Sequence, residues 1–421
     1  MGGLDFMTNK KNIRYNIDDH HHGLFIKEAR LRQSYRVVAL TDGICSPAYL
    51  SKIEAGITIP APDMFEKMAQ RLKIQFPTGH CNGLVKTVRQ FIYEERIDEL
   101  QHYLTGDSLH DYEKQLGRFF QAVLLKDYEQ AAQLKKLIDQ FSHHLNAEEQ
   151  QFYLLLNGIS SFDNFEWERG KKYFKRALDL MFKLKIDDPY LYYQLAKYYF
   201  QTQNVSLGFA FLERATTEFK KLYAKDWVFR CGVLKCREYI KNNEIENAKA
   251  GLESLKRIVT SNQDKPEWSD IFNIQALIYE QLSECHEADF YFTKSLETTM
   301  GVTNDDYLLD AIKFYYNGQK NKKMLQLIER LDLNALSQRN RILADFYYFK
   351  ATHVKQDDFE LFLRKEALPY AIRTLNARDV NFYTKELTAL CRGNLRHKRA
   401  AEAYYKWEKF RDGIEQNGVI Q

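Results

Sequence analysis

Apolar residues follow two textures along the 421-residue chain. Between Leu24 and Ile74 they come in short bursts separated by tight polar turns, which predicts four or five brief helices ending at a break over Phe76, Pro77, Thr78 and Gly79. The first, LFIKEARLR, sets Leu24, Ala29 and Leu31 near one side and carries the basic groups Lys27, Arg30 and Arg32. In GICSPAYLSKIEAGITIP, Gly43 to Pro60, Ser46 is a good N-cap, and Pro47 suits the first helical position. Gly56 follows the end of that helix and Pro60 prevents continuation. Leu50 and Ile53 are three apart and can face a core, which turns Tyr49, Ser51 and Lys52 outward. From Gly83 onward the apolar stretches lengthen into one long helix after another.

An internal alignment of the long-helix region exposes a period. Gly170, Gly208, Ala248 and Ala288 recur at 38, 40 and 40 residues. Four after each come Phe174, Leu212, Leu252 and Phe292, and seven after each come Ala177, Ala215, Leu255 and Ser295. Twelve before each lie Gly158, Ala196, Cys236 and Ala276, followed three residues on by Ser161, Tyr199, Tyr239 and Tyr279. Small residues let paired helices approach and a large residue one turn away fills the space beside them, so each unit reads as a helical hairpin. One hairpin cannot bury its apolar face alone, which requires the units to stack. The pattern resembles the tetratricopeptide repeat, with loops longer than its period of about 34 residues implies, most clearly from Phe152 to Thr299. FFQAVLLKDYEQAAQLKKLI, ADFYYFKATH and ALCRGNLRHKRAAEAYYKWEKF look like looser units, for roughly seven to nine in all. The expected fold is therefore all-α, a helix-turn-helix domain followed by a right-handed tetratricopeptide superhelix. Residues 1–22 form a flexible tail, 23–77 the small domain, 78–105 a linker with first helices, and 106–421 the repeat domain, which binds peptide and mediates dimerisation.

Composition narrows the function. Gly and Pro number 19 and 7 while 45% of residues are hydrophobic, which argues for an ordered chain. A net charge of +4 over this length does not mark a chain coated in nucleic acid. Cys45, Cys81, Cys231, Cys236, Cys285 and Cys391 form no CxxC pair and read as reduced core thiols rather than a disulfide framework. No window approaches the roughly 20 apolar residues that cross a bilayer, nor does the start carry a secretory signal, so a cytoplasmic protein is expected, with no membrane partner. The run His20, His21, His22 reads as a solvated tail or a remnant rather than a metal site. No phosphate loop, HExxH or GxSxG appears, and Asp305 and Asp306 read as loop caps; neither catalysis nor a cofactor is expected.

A helix, a turn and a capped helix let the second helix enter the major groove. The words ICSPAYLSKIEAG and MAQRLKI resemble the DNA-binding domain of the lambda-repressor-like class, in particular the variant of the RRNPP peptide-pheromone receptors of Gram-positive bacteria. That family joins such a domain to tetratricopeptide repeats in the order found here, so the resemblance covers nearly the whole chain. It implies that Ser46, Pro47, Ala48 and Tyr49 form the base-reading turn, with Ser51 and Lys52 nearer the phosphates. Pro47 and Ala48 depart from the family's more polar residues, which leaves direct readout to Tyr49, thymine methyl contacts and DNA shape. Val37 stands where the family commonly has a glutamine that opens the second helix. Arg30 and Glu54 match positions that join the first and reading helices by an ion pair.

The first helix of each repeat lines a concave surface. One residue after and three before the small column stand Tyr193 and Lys197, Val233 and Arg237, and Asn273 and Leu277; one turn further come Gln201, Lys241 and Gln281. Amides can grip an extended peptide backbone whatever its sequence, and cations can take its carboxylates. The resemblance implies a short imported signalling peptide in this groove, with Lys197, Gln201, Arg237 and Asn273 carried over and Asn157 on the wrong column. The expected protein is a homodimeric regulator whose peptide changes the spacing of two DNA-binding modules on a palindromic operator. Two alternatives stand beside it. One is an adaptor whose repeats bind a response-regulator or antirepressor protein; the other is a repressor that uses its repeats only to dimerise.

Overall fold

The computed structural model describes residues 22–73, 83–105, 109, 111–142, 145–164, 166–259, 266–298, 305–333, 336–352, 355–374 and 377–416. All regular structure there is helical, with no strand among the described residues. Of the expected tail over residues 1–22, residues 1–21 lie outside them while His22 opens the first helix; the break at Phe76 to Gly79 and Cys81 also lie outside. Backbone packing divides the chain into two compact units, residues 1–164 with 168–187, and residues 165–167 with 188–421. The division falls inside the repeats.

Four short helices open the first unit: α1 (His22–Arg32), α2 (Val37–Thr41), α3 (Pro47–Glu54) and α4 (Pro62–Arg71). They close on a small core of Ile26, Ala29, Leu40, Leu50, Ile53, Met68 and Leu72. Leu31, expected on the core face of α1, is instead 57% exposed. The buried stripe passes through Ile26 and Ala29, and at about 100° per residue Leu31 lies about 140° round from Ile26. The caps of α3 form as its sequence directs. Ser46 accepts from the Tyr49 amide, Pro47 opens the helix, and Gly56 follows its end at φ +70°, a conformation that favours glycine.

Next come α5 (Gly83–Tyr93) and α6 (Leu100–Leu104), then two hairpins of the same unit: α7 (Asp111–Leu124) with α8 (Tyr128–Ile138), and α9 (Ala147–Asp163) with α10 (Trp167–Leu184). Packing in the second hairpin depends on Gly158. A Cβ there would stand 2.7 Å from the ring of Phe174, which is itself fully buried.

The second unit stacks further pairs: α11 (Pro189–Gln201) with α12 (Val205–Lys221), α13 (Lys225–Lys241) with α14 (Ile245–Ile258), α15 (Pro266–Gln281) with α16 (Cys285–Thr298), and α17 (Asp305–Asn317) with α18 (Asn321–Ile328). Behind them α19 (Gln338–Thr352) precedes α20 (Gln356–Phe362), which runs through a π-helical turn into α21 (Leu368–Arg373). The last pair is α22 (Ala377–Gly393) and α23 (His397–Gln416). The aligned columns are the packing columns: Ala196, Cys236, Ala276, Ala215, Leu255, Ser295, Leu212, Leu252 and Phe292 are all buried. Ser269 and Ser295 add reciprocal bonds, each hydroxyl donating to the other's carbonyl at 2.8 Å.

Two further expectations need correction. Asp305 and Asp306 open α17 rather than lying in a loop, and Asp306 accepts from the amide of Asn340 at 3.1 Å. Carboxylates in a first turn face the positive end of the helix dipole. Cys231, Cys236 and Cys391 are buried thiols, but Cys285 is exposed and Cys45 half-buried. Cys285 is the first residue of α16, one turn before the buried column resumes at Ala288.

Candidate functional site

Helix α3 is fixed along its inner face and by an ion pair to α1. Leu50 and Ile53 bury its inner face. Arg30 on α1 donates from Nε to one oxygen of Glu54 at 2.6 Å and from Nη2 to the other at 2.8 Å, and from Nη1 to the Tyr35 carbonyl at 3.1 Å. The guanidinium is held well above its usual range, first by that hydrogen bond to Glu54, with burial opposing and the Glu54 charge adding. The structure thus brings Arg30 and Glu54 together as a bidentate pair, the geometry that gives an arginine fork most of its specificity.

Two other side chains complete the scaffold, and sequence reasoning passed over both. Arg71 of α4 donates from Nη1 to the Leu40 carbonyl at 3.1 Å and to the Asp42 carbonyl at 2.5 Å, closing the end of α2. Gln33 donates to the Leu72 carbonyl at 2.5 Å. These bonds span 31 and 39 residues, and no local spacing announces them.

On the outer side of α3, Ser46, Pro47, Ala48, Ser51 and Lys52 are exposed, and Tyr49 is half-buried against the domain core. Neither serine hydroxyl is idle. Ser46 Oγ accepts from the Tyr49 amide at 3.2 Å, and Ser51 Oγ donates to the Pro47 carbonyl at 3.0 Å. Val37 is half-buried at the start of α2 and packs on the same core.

In the second unit, the first helices of successive hairpins carry a polar row on one side. Arg237 of α13 donates from Nη1 to Oδ1 of Asn273 on α15 at 2.7 Å and from Nη2 to Asp310 on α17 at 2.7 Å. Its guanidinium also stands 6.0 Å from the centre of the Tyr307 ring, whose hydroxyl bonds Asp270. Burial raises the Asp270 carboxyl above its usual range, against the Tyr307 hydrogen bond and the charges of Arg237 and Arg230. Asn273 is fully buried, and among the described residues its Nδ2 has no hydrogen-bond partner. A buried amide donor left without an acceptor costs about 1–3 kcal/mol, so this one invites a carbonyl.

The other expected groove residues are dispersed. Tyr193 meets the Trp227 ring edge-on at 5.3 Å, and Lys197 is half-buried on the same helix. Lys241 bonds Glu238 at 2.5 Å, one turn back on its own helix. Gln201 and Gln281 are exposed at the ends of α11 and α15. Asn157 of the first unit turns inward and donates to the Tyr153 carbonyl at 2.8 Å. The acidic partners Asp310, Asp270 and Glu238 went unread because each lies off the aligned columns. Among the described residues no group of three or more His, Cys, Asp or Glu could hold a metal, and no helix is long and apolar enough to cross a membrane.

Residues 26–77 match the helix-turn-helix family HTH_3. Over 422 aligned residues the chain is 22% identical to the transcriptional activator NprA of Geobacillus stearothermophilus, covering 87% of this chain and 97% of that protein. Two solved structures share the fold. The quorum sensor NprR in complex with its cognate peptide NprX matches with TM-score 0.59 at 17% identity, over 79% of this chain and 96% of that one. A Rap protein complexed with competence and sporulation factor matches with TM-score 0.58 at 12% identity, over 80% and 97%. The chain thus carries a helix-turn-helix domain of the HTH_3 family at residues 26–77, is similar to NprA along most of its length, and shares the helical-repeat fold of NprR.

Proposed function

We propose that this protein is a cytoplasmic quorum-sensing receptor and transcription regulator. Its repeats bind a short imported signalling peptide, and the peptide changes the geometry of a homodimer and with it the affinity for a palindromic operator. The observation that carries the reading is the buried, unpaired amide of Asn273, oriented by Arg237 in a row across three successive repeats, in a chain that also bears a helix-turn-helix domain. An extended peptide supplies what that row lacks, because its backbone offers unpaired carbonyls at every residue. NprR has been solved with a cognate peptide and NprA is a transcriptional activator, both consistent with this role.

Ligand that prefers one curvature of the stacked hairpins shifts the population toward it by as much as its affinities for the two states differ. Half-sites tolerate only certain separations, so a change in the spacing of two reading helices becomes a change in affinity. The test uses the full-length protein and DNA flanking its gene, with synthetic peptides copied from the carboxyl end of any small secreted product encoded beside it. Sequence-preferring binding that a peptide strengthens or weakens supports the reading; the reading is abandoned if binding at moderate salt shows no sequence preference with or without peptide.

The likeness to a Rap protein supports a second reading, a repeat adaptor that grips a response-regulator or antirepressor protein, with DNA binding secondary. Deleting residues 1–77 separates the two. Regulation that survives the deletion belongs to the adaptor.

A further inference from the structure

The geometry points to the operator feature that α3 reads: thymine methyl groups on neighbouring base pairs of each half-site, met by the exposed Pro47 ring and Ala48 methyl. The inference rests on the DNA-binding part of the proposed function and goes beyond it by naming what the helix recognises.

The first turn of α3 has almost nothing with which to form a two-point hydrogen bond. Ser46 Oγ accepts the Tyr49 amide at 3.2 Å as the helix cap, and Ser51 Oγ is turned back on the Pro47 carbonyl at 3.0 Å. Back-bonding of this kind holds a hydroxyl against its own helix. Pro47 and Ala48, both exposed, have no polar side-chain atom at all. Tyr49 is half-buried with its ring on the domain core. What remains are the Ser46 hydroxyl hydrogen, the phenol of Tyr49, and Lys52, which lies one turn beyond Ala48. Guanine and adenine are distinguished in the major groove by paired donors and acceptors from Arg, Lys, Asn or Gln. A turn of proline and alanine offers none, but it offers apolar surface, and the one apolar group on a base edge in that groove is the C5-methyl of thymine. Arg30 cannot substitute as a base reader, because both its Nε and Nη2 are bound to Glu54.

The experiment is a selection with full-length protein from two random duplex pools, one built with thymine and one with uracil, which differs only in lacking that methyl. The expected motif from the thymine pool has thymines on adjacent base pairs in each half-site, and the uracil pool loses the enrichment at those positions. Replacing those thymines by uracil in the selected duplex weakens binding about fourfold per methyl, the change that ~0.8 kcal/mol per buried carbon produces. In the Ala48→Gly variant the thymine-to-uracil affinity ratio falls toward one. Because it is a ratio measured on a single protein, it is unaffected by any loss of folded fraction. Equal binding of the thymine and uracil duplexes overturns the inference, as does a motif in which guanines occupy the positions facing α3. If neither pool yields a motif, DNA reading itself fails and this inference fails with it.

Discussion

Glu28 and the Arg30–Glu54 pair are two charges a helical turn or less apart on α1, with opposite consequences for the fold. Burial lifts the Glu28 carboxyl from 4.5 to about 7, aided by Asp111 and Glu113 of α7 and opposed by Arg32, which bonds Asp111. A folded pKa above the unfolded one means that the folded state holds the proton more tightly. The associated stability is complete below about pH 4.5 and is lost as pH rises through about 7. Glu28→Gln removes the penalty. We expect its unfolding free energy to match the parent at pH 4.5 and exceed it at pH 8, by on the order of 1–2 kcal/mol after allowance for solvent screening. An equal gain at both pH values rules out titration of Glu28 as the cause. The Arg30–Glu54 pair behaves the other way. Its side chains are 13% and 9% exposed, so removing one partner strands a buried charge. Arg30→Ala should cost about 3 kcal/mol in the denaturant-induced unfolding of the first unit, and Arg30→Met with Glu54→Leu should recover much of it. A loss below ~1 kcal/mol for the single variant would assign the pair to the weak surface class.

Hairpin packing was readable in the sequence because a column of small residues every 38 to 40 positions has a steric cause that leaves few substitutes. Gly158→Ala illustrates it. Its Cβ would stand 2.7 Å from a buried Phe174 ring that has no room to swing, and we expect a net loss of about 1–2 kcal/mol, helix propensity offsetting part of the clash. The turns were not readable, and for a physical reason. At each of Lys126, Gln203, Asn243, Ser283, Gln319 and Leu395 the chain takes a positive φ between 55° and 63°. After Gln203 the amide of Asn204 reaches back to the Tyr199 carbonyl, while the Gln203 amide bonds that of Phe200; Asn243 with Glu244 and Ser283 with Glu284 repeat this pattern. It is the helix-ending motif that normally announces itself with glycine. None of the six positions is a glycine, so the usual stop signal is missing from the letters although its geometry recurs. Substitution then has a definite sign. Ser283→Gly relieves the left-handed strain of a non-glycine residue and should stabilise by about 0.5–1 kcal/mol after its extra unfolded-state entropy, whereas the same change one helical turn earlier, at Tyr279, should destabilise. Parallel thermal melts of the two variants check this, and a Ser283→Gly melt below the parent would contradict it.

Across the chain, the reading face of α3 could be inferred from local spacing, but the inner row of the repeats could not. Ser46, Pro47 and Gly56 cap their own helix, so neighbouring letters suffice. Arg237, Asn273 and Asp310 meet only when hairpins 36 and 73 residues apart stack, and an aspartate on a third helix decides whether the arginine is free for a ligand. In the proposed receptor the row bears on coupling as well as on affinity. If a peptide carbonyl satisfies Asn273 Nδ2, Asn273→Ala should weaken peptide binding at least tenfold while leaving peptide-free DNA binding unchanged, because the amide lies in the second unit and the reading helix in the first. Linkage adds a stricter demand. Whatever factor the peptide imposes on DNA affinity, typically about 5- to 150-fold in such systems, DNA must impose on peptide affinity. Titrating peptide into the protein with and without operator, and operator with and without peptide, measures both sides. Equal factors in the parent that fall together toward one in Asn273→Ala would tie the amide to the transition between dimer geometries. A variant that binds peptide weakly but keeps the full factor would make Asn273 a grip on the ligand and assign the coupling to other residues of the stack.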